Sequence, residues 1–215
     1  MRPSYLLRSA ALCAAARAAA AAGDAAGPPC TTPLNPALET ICYTTVTSLG
    51  NFSIREYASG LPVSLVTATV DVYAGDWALQ SQFATSEMLL YFEGTNMAEV
   101  KVPLTVPLIY RPRGQALMAS MAIPTSDFPN PAFAPKPSVY SVLEPLPAIR
   151  IAALRFDTPA LATDLQYAFA CGELQEILTL QGITPVPGPW GQAWATYSTR
   201  DAPDHVNECW AQVPA

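Results

Sequence analysis

The sequence predicts an α+β fold, either a distorted antiparallel β-barrel or a curved sheet, with two main helices outside it. Segments that are β-branched, or that alternate apolar and polar residues, outnumber helical ones. The order β-β-α-β-β recurs after roughly 85–90 residues. Twenty-two prolines spread through the chain, which favours loops and sheet edges over a helical bundle. We therefore expect two pseudo-symmetric β-β-α-β-β halves that share one core.

Each half consists of strand-like segments around one helical pattern. The predicted strands are 52–57, 63–72, 101–110 and 117–123 in the first half and 139–144, 149–156, 192–199 and 208–213 in the second, with a proline-rich connection at 124–138. Asp76 is a suitable N-cap for the first helix, and Gly94 is a suitable end. Thr158 and Pro159 are typical of a helix start, and Gly182 is typical of the end of that second helix.

The segment 101–110 combines strand-forming residues with two prolines. It is rich in Val, Leu, Thr and Ile, yet it contains Pro103 and Pro107. Proline has no N–H to donate to a ladder, so a central strand is disfavoured here. We expect an edge strand, or one that lines an opening, followed by a turn at 111–114. A proline-rich loop is the alternative.

The first 26 residues differ from the rest of the chain. A basic start, a short apolar stretch and an alanine-rich run predict a cleavable signal peptide and secretion. An organellar transit peptide is the alternative, because the first 23 residues contain Arg and Ser but no acid. The apolar run is too short for a stable membrane span. Residues 27–41 are then expected to form an irregular proline-rich arm, and residues 42–215 one domain.

Four cysteines remain after the leader, and their even number fits a secreted protein with two disulfides. Cys30–Cys42 would close a short loop, and Cys171–Cys209 would tie a helix to the last strand. Four unpaired, buried thiols are the alternative. Asn51 begins a glycosylation sequon, which matters only for a secreted chain.

The charge balance and the absence of known motifs exclude several functions. The net charge of −6 gives no basic footprint for nucleic acid. No P-loop, dinucleotide fingerprint or Ca²⁺ loop is present, and we predict no metal site. His205 is the only histidine, and its polar sequence context predicts a solvated loop side chain without a catalytic role.

Glu56 and Glu144 occupy equivalent positions in the repeat. Two carboxylates facing one cavity would be suited to acid–base chemistry. Strand residues of this kind are more often outward-facing charges, so we predict that the protein is not an enzyme.

Some apolar and basic side chains are candidates for contacts with a ligand. The apolar candidates near the helices are Trp77, Phe83, Met88, Tyr91 and Phe169, most of which we expect in the core. The basic candidates, which would meet acidic ligand groups, are Lys101, Arg111, Arg113 and Arg155.

Five short segments resemble, in order and spacing, the motifs of one protein family. In chain order they are Phe52-Ser53-Ile54-Arg55-Glu56-Tyr57, Phe92-Glu93-Gly94-Thr95-Asn96, Lys101-Val102-Pro103-Leu104-Thr105-Val106-Pro107-Leu108, Met121-Ala122-Ile123-Pro124 and Val206-Asn207-Glu208-Cys209-Trp210. They resemble Y-x-I-R-x-Y, I-Q-G-x-N, K-I-x-M-T-x-P-V, F-Y-V-P and N-E-x-W of the SOUL heme-binding protein family. The resemblance extends over residues 42–213. More remotely, the chain resembles bacterial effector-binding domains.

The resemblance implies a distorted β-barrel with two helices that binds heme or another tetrapyrrole without catalysis. Some members are described with an axial histidine in the opening motif, where Glu56 stands here. The resemblance therefore implies an apolar groove without a histidine at that position. The implied ligand contacts are Glu56, Trp77, Lys101 and Arg111. The alternative is an extracellular small-molecule or protein interaction module of the same fold that has lost heme binding.

Overall fold

The structure, a computed structural model, describes residues 30–32, 35–57, 63–71, 77–128, 130–198 and 204–215. These ranges contain eleven strands and two α-helices. The strands are β1 Cys30–Thr32, β2 Asn35–Thr40, β3 Thr44–Leu49, β4 Phe52–Tyr57, β5 Ser64–Asp71, β6 Leu108–Arg113, β7 Ala116–Ala122, β8 Val142–Pro145, β9 Ile149–Thr158, β10 Ala193–Thr196 and β11 His205–Val213. The helices are α1 Trp77–Phe92 and α2 Asp164–Leu180, and a 3₁₀ turn covers Pro131–Phe133.

Within the described ranges, nine strands form one antiparallel sheet in the order β3-β4-β9-β11-β10-β6-β7-β5-β8. The sheet is open, with β3 and β8 at its edges. The α+β prediction is therefore confirmed in its curved-sheet form. From β4 to β8, the order reads the same from either end when β4, β5, β6 and β7 are exchanged for β8, β9, β10 and β11. The pseudo-twofold axis itself stays a prediction.

Both helices lie on the same face of the sheet. In β9, Ile151 belongs to a core on one face, whereas Ala152 packs with α2 on the other. In β5, Leu65 belongs to the same core as Ile151, whereas Val66 packs with α1. We call the side that carries α1 and α2 the helix face, and the other side the inner face. Loop residues such as Trp190 complete the core of the inner face.

Both helices end where glycine predicts. Gly94 has φ of 102° and Gly182 has φ of 68°, a region that favours glycine. The N–H of Thr95 donates to the carbonyl of Leu90, and the N–H of Ile183 donates to that of Leu178. These bonds, together with those of the glycine N–H groups, are Schellman motifs that satisfy carbonyls of the last turn.

The predicted start of the second helix is wrong. Thr158 is the last residue of β9, and its hydroxyl donates to the carbonyl of Ala160. The helix starts at Asp164 with Thr163 as N-cap, in a capping box with Gln166. The backbone continues extended through Thr158 because β9 is still paired there with β11. The predicted N-cap Asp76 lies outside the described residues.

Prolines also shorten the strand predicted at 101–110. Residues 101–105 are irregular, Val106 makes only an isolated bridge to Thr40, and β6 begins at Leu108. The loop alternative is therefore correct for the first part of the segment. From Leu108 the strand is central, because it pairs with both β7 and β10. The turn predicted at 111–114 begins only at Gly114, because β6 continues to Arg113.

The arm expected to be irregular contains two paired strands, β1 and β2. The Glu39 carboxylate fixes β2 to the body, since it accepts hydrogen bonds from the N–H and hydroxyl of both Thr125 and Ser126. Burial opposes ionisation, but the bonds from Ser126 and Thr125 outweigh it and lower the pKa of Glu39. The edge strand β3 was also missed, because its polar, Thr-rich sequence has no alternating pattern.

Gly172 in α2 offers a test of glycine without a structural purpose. A Cβ at Gly172 would meet no atom within 4 Å, whereas Gly94 requires its positive φ. We expect Gly172→Ala to raise the free energy of unfolding by about 0.5–1 kcal/mol, and Gly94→Ala to lower it by about 1–2 kcal/mol. Urea unfolding of both variants measures the difference. A loss of stability for Gly172→Ala would show that this position has a packing role.

Candidate functional site

A strip of the helix face lies between the two helices. α1 packs on β5 and β7, and α2 packs on β9 and β11. The central strands β6 and β10 lie between these pairs in the sheet. Their helix-face side chains form the floor of what we call the inter-helix groove: Leu108, Tyr110, Trp194 and Thr196.

The middle of the groove floor is aromatic. Tyr110 and Trp194 are directly opposite each other in neighbouring strands, and both are half-buried. Tyr167 of α2 stacks on Trp194, with ring centroids 5.5 Å apart and planes inclined by 26°. Phe156 contacts Tyr167 edge-on at 5.2 Å. On the other side, the hydroxyls of Tyr110 and Thr85 of α1 are 2.6 Å apart. The floor therefore presents aromatic surface held in place by both helices.

The two tyrosines of this group stay neutral at physiological pH. Burial raises the pKa of Tyr110, and this outweighs the hydrogen bond from Thr85. Burial also raises the pKa of Tyr167, with a further contribution from Tyr110. Both side chains therefore supply apolar ring surface and a neutral hydroxyl to the groove.

One end of the groove is polar and buried. Asn207 accepts a hydrogen bond from the Tyr167 hydroxyl at 3.0 Å and donates to Thr158 Oγ1 at 3.0 Å. Within the described ranges, the neighbouring atoms Thr196 Oγ1 and His205 Nδ1 are buried without a hydrogen-bond partner. The solvated loop predicted for His205 is wrong: it begins β11 and is only 3% exposed. The flanking prolines and aspartates concealed a strand that pairs with β9.

A disulfide lies beneath α2. It joins Cys171 of the helix to Cys209 of β11, which is directly opposite Trp194 in β10. The disulfide therefore fixes α2 next to the aromatic floor. Cys42 is also disulfide-bonded, and its pairing with Cys30 stays a prediction.

The inner face contains a buried ion pair between the first and last family-like motifs. Arg55 donates to both oxygens of Glu208, at 2.5 and 2.9 Å. Glu208 also accepts from the Tyr197 hydroxyl at 2.8 Å and from Trp210 Nε1 at 2.7 Å. The attraction of Glu208 outweighs burial and raises the pKa of Arg55. Every polar atom of the carboxylate is thus paired within the protein.

Arg111, a predicted ligand contact, also lies on the inner face. Its guanidinium is buried, binds Glu144 and Ser120, and stacks on Trp190 at 4.2 Å from the ring centroid. Burial lowers the pKa of Arg111 more than Glu144 raises it. The side chain therefore already has protein partners and lies on the face opposite the groove.

The other predicted contacts are not brought together with Arg111. Glu56 points to the helix face of β4 and pairs with Arg150 at the opposite side of the sheet from α1. Lys101 is exposed and lies 3.4 Å from Glu93. The Trp77 side chain lies outside the described residues.

Glu56 and Glu144 lie on opposite faces of the sheet. Tyr57, the neighbour of Glu56, is in the core of the inner face, so Glu56 points away from that core. Glu144 is directly opposite Leu65, which belongs to the same inner core. The hypothesis of two catalytic carboxylates in one cavity is therefore wrong, because the repeat alignment was shifted by one residue relative to the faces.

The apolar residues proposed as a pocket lining divide into core and surface. Met88 and Tyr91 are completely buried beneath α1, as expected for core residues. Phe83 and Phe169 are 54% and 70% exposed, and they alternate with the buried positions of their helices. The floor residue Trp194 was missed because β10 is short. Its position becomes visible only when β10 is paired with β6.

An open cleft of about 870 Å³ lies at the C-terminal end of α1. Its lining comprises Gly94, Thr95, Asn96, Met97, Glu99, Pro137, Ser138, Val139 and Tyr140. Asn96 is buried, and its amide bonds the backbone of Tyr91, Ala98 and Val100. This part of the family-like motif therefore stabilises a loop.

Asn51, the predicted glycosylation site, lies in the exposed turn between β3 and β4. Ser53 of the same sequon is buried, and its hydroxyl accepts a hydrogen bond from Arg55 at 3.0 Å. Glycosylation at Asn51 stays a prediction. In the described part of the chain, no helix is long and apolar enough to cross a membrane.

An open antiparallel sheet with two helices on one face and an aromatic groove between them defines an α+β ligand-binding class of fold. A family model for SOUL heme-binding protein matches residues 38–212. The chain belongs to the SOUL heme-binding protein family, and heme or another porphyrin is the cofactor that this family implies.

Solved structures support the fold. The crystal structure of the EcmrR C-terminal domain has 13% sequence identity and a TM-score of 0.53, and it covers 76% of this chain and 96% of that chain. A putative bacterial transcription regulation protein from Staphylococcus aureus MU50 has 10% identity and a TM-score of 0.42, covering 76% of this chain and 98% of that one. No curated protein matches the chain.

The groove residues fit a tetrapyrrole. A flat macrocycle requires apolar and aromatic surface, which Tyr110 and Trp194 supply. Its carboxylates require hydrogen-bond donors, and the unpartnered atoms of Thr196 and His205 lie at one end of the same floor. Arg55 and Arg111 cannot serve there, because they lie on the inner face and bind Glu208 and Glu144.

Proposed function

We propose that this protein is a secreted, non-enzymatic tetrapyrrole-binding protein whose ligand lies in the inter-helix groove, without an axial histidine at position 56. The observation that carries the proposal is the half-buried pair Tyr110 and Trp194 between the helices. Membership in a heme-binding family supports the ligand class.

The protein's own side chains would bind and orient the macrocycle. Trp194 and Tyr110 offer ring surface for stacking, and Tyr167 holds the Trp194 ring in its present orientation. The hydroxyls of Thr85 and Tyr110 fix α1 relative to the floor. A bound heme would supply an iron centre and a Soret band that reports its surroundings.

Hemin titration of the purified, disulfide-intact protein tests the proposal. We expect a Soret shift and tryptophan quenching at micromolar hemin, because indole rings of the groove floor would contact the ligand. We expect Trp194→Phe to weaken binding by about 3- to 10-fold and to remove much of the quenching, since it retains a ring but reduces stacking area. The absence of both the Soret shift and the quenching in the wild-type protein would contradict the proposal.

Trp190→Phe is the matched control. Trp190 is 3% exposed and lies on the inner face against Arg111, so the same chemical change there should leave hemin affinity unchanged. If Trp190→Phe weakened binding and Trp194→Phe did not, the ligand would lie on the inner face. Circular dichroism of both variants establishes that the fold is retained.

The second candidate function is an extracellular interaction module of the same fold. The open cleft beside Gly94 favours it, because Met97, Val139 and Tyr140 expose 72%, 92% and 54% of their surface there. In that case hemin would not bind, or its binding would be reduced by Val139→Ser with Tyr140→Ser and unchanged by Trp194→Phe.

A further inference from the structure

Two buried polar side chains at the end of the inter-helix groove have no partner in the described part of the protein. They are Thr196 in β10, which is 7% exposed, and His205 in β11, which is 3% exposed. Neither Thr196 Oγ1 nor His205 Nδ1 makes a hydrogen bond. Buried polar groups in folded proteins are nearly always paired, so two unpaired atoms on adjacent strands require an explanation.

The two side chains lie on the same face as neighbours. Thr196 is directly opposite Asn207, and His205 precedes Asn207 by two residues. Residues in this diagonal relation have Cβ atoms about 7–8 Å apart. One bound group between them can therefore reach both side chains. Asn207 cannot satisfy them, since its amide is already bonded to Tyr167, Thr158 and the carbonyl of His205.

The pair adjoins the aromatic floor. Thr196 follows Trp194 by two residues on the same face of β10, and it is directly opposite Leu108 of β6. A flat apolar body over Tyr110 and Trp194 would thus have one edge at Thr196 and His205. The site has an apolar floor and a small polar end, which is the usual composition of a ligand site.

The available atoms define the chemistry of the bound group. A threonine hydroxyl and an imidazole N–H both donate, and a carboxylate oxygen accepts from either. A charge-assisted hydrogen bond to a carboxylate is stronger than one between neutral groups. The two donors therefore suit a carboxylate at the edge of an apolar ring system.

We propose that Thr196 and His205 form a carboxylate subsite at one end of the inter-helix groove. The subsite rests on the proposed function and specifies it, since it selects tetrapyrroles that carry free acid side chains over those that do not. His205 acts through hydrogen bonding to the ligand edge in this proposal, and it is not an iron ligand.

The test compares metal-free protoporphyrin IX with its dimethyl ester, using tryptophan quenching to measure affinity. We expect the wild-type protein to bind the diacid at least 10-fold more tightly than the ester. We expect Thr196→Val and His205→Phe each to weaken diacid binding by about 10-fold, the value of one lost charge-assisted hydrogen bond, and to leave ester binding unchanged.

Melting temperature separates a ligand contact from a structural role. Thr196→Val removes a hydroxyl that has no protein partner and preserves shape, so its melting temperature should be unchanged or raised. Thr67→Val is the matched control, because the Thr67 hydroxyl is buried on the inner face and bonds Ser120 and Glu144. That variant should melt at a lower temperature and keep its preference for the diacid.

Different failures have different meanings. Equal affinity of the wild-type protein for diacid and ester would overturn the subsite and leave the groove intact. Thr196→Val with a lower melting temperature and an unchanged diacid preference would show that the hydroxyl holds a structural water, which also overturns the subsite. If neither porphyrin binds, the proposed function fails together with the subsite.

Discussion

Replacing Arg55 with methionine is expected to lower the free energy of unfolding by about 3–5 kcal/mol, since it leaves the Glu208 charge buried and uncompensated. Glu208 is completely buried, and Arg55 is 7% exposed. The guanidinium binds both carboxylate oxygens and also lies 4.7 Å from the ring centroid of Tyr43. No other cation contacts Glu208 in the part of the protein that the structure describes.

The double variant Arg55→Met with Glu208→Leu should recover a large part of the lost stability. Removing both charges eliminates the uncompensated carboxylate, and apolar replacements of similar volume are often well tolerated at buried ion pairs. Tyr197 and Trp210 would then lose an acceptor, so full recovery is not expected. Urea unfolding of the wild-type protein, both single variants and the double variant gives the coupling energy.

Arg150→Met is the matched control for this prediction. Arg150 pairs with Glu56 in the same strand region, but the two side chains are 28% and 42% exposed. Solvent screens such a pair, so the change should cost no more than about 1 kcal/mol. Equal losses for Arg55→Met and Arg150→Met would contradict the assignment of Arg55–Glu208 as the structural ion pair of the inner face.

This ion pair explains why family-like motifs were visible in the sequence. Arg55 belongs to the opening motif, and Glu208 and Trp210 belong to the last one. The middle motifs act in a similar way: the buried Thr105 hydroxyl donates to the carbonyl of Ala122, and Asn96 closes a loop. These residues determine the fold and make no contact with the groove, so the motifs identify the fold better than they identify a ligand site.

The elements that local signals determine were predictable. Gly94 and Gly182 end their helices because no other residue adopts the required φ without strain. The strand run before Asp71 and the one after Ile149 contain enough β-branched and apolar residues to be recognised. In both cases the decisive interaction lies within a few residues of the chain.

The elements that depend on long-range pairing were not predictable. Thr158 has the sequence context of a helix start, but pairing with His205 keeps it in β9. Leu108 begins a central strand immediately after Pro107, because the proline N–H is not needed before the ladder starts. Local propensity was overruled in both places by a partner strand far along the chain.

The candidate site was missed for the same reason. Its floor combines Tyr110 and Trp194, which are adjacent only because β6 and β10 meet at the centre of the sheet. Lys101 and Arg111 were chosen for their charge, and neither lies in the groove. Which face a strand side chain occupies depends on register, and a shift of one residue reverses every assignment.

The two faces of the sheet now have distinct roles. The inner face contains the ion pairs of Arg55 and Arg111, whose partners are supplied by the protein itself. The helix face contains the neutral aromatic floor and the unpartnered atoms of Thr196 and His205. A ligand therefore finds unsatisfied donors and half-buried rings only on the helix face, among the residues described.

Removal of the disulfide beneath α2 is expected to affect both stability and the groove. Cys171 and Cys209 are 38 residues apart, and closing such a loop stabilises the folded chain by about 4 kcal/mol in the chain-entropy model. We expect Cys171→Ala with Cys209→Ala to lower Tm by roughly 10 °C. We also expect weaker hemin binding, because α2 then holds Tyr167 less firmly against Trp194.

Reductant distinguishes this disulfide from the one at Cys42. Reduction of the wild-type protein opens both, whereas reduction of the double variant opens only the bond at Cys42. The Tm difference between the reduced wild-type protein and the reduced double variant should therefore be small. Leu165→Ala, on the exposed side of α2, is the control for a truncation in the same helix, and it should change stability by less than about 0.5 kcal/mol. A double variant as stable as Leu165→Ala would show that packing against β9 and β11 holds α2 in place without the disulfide.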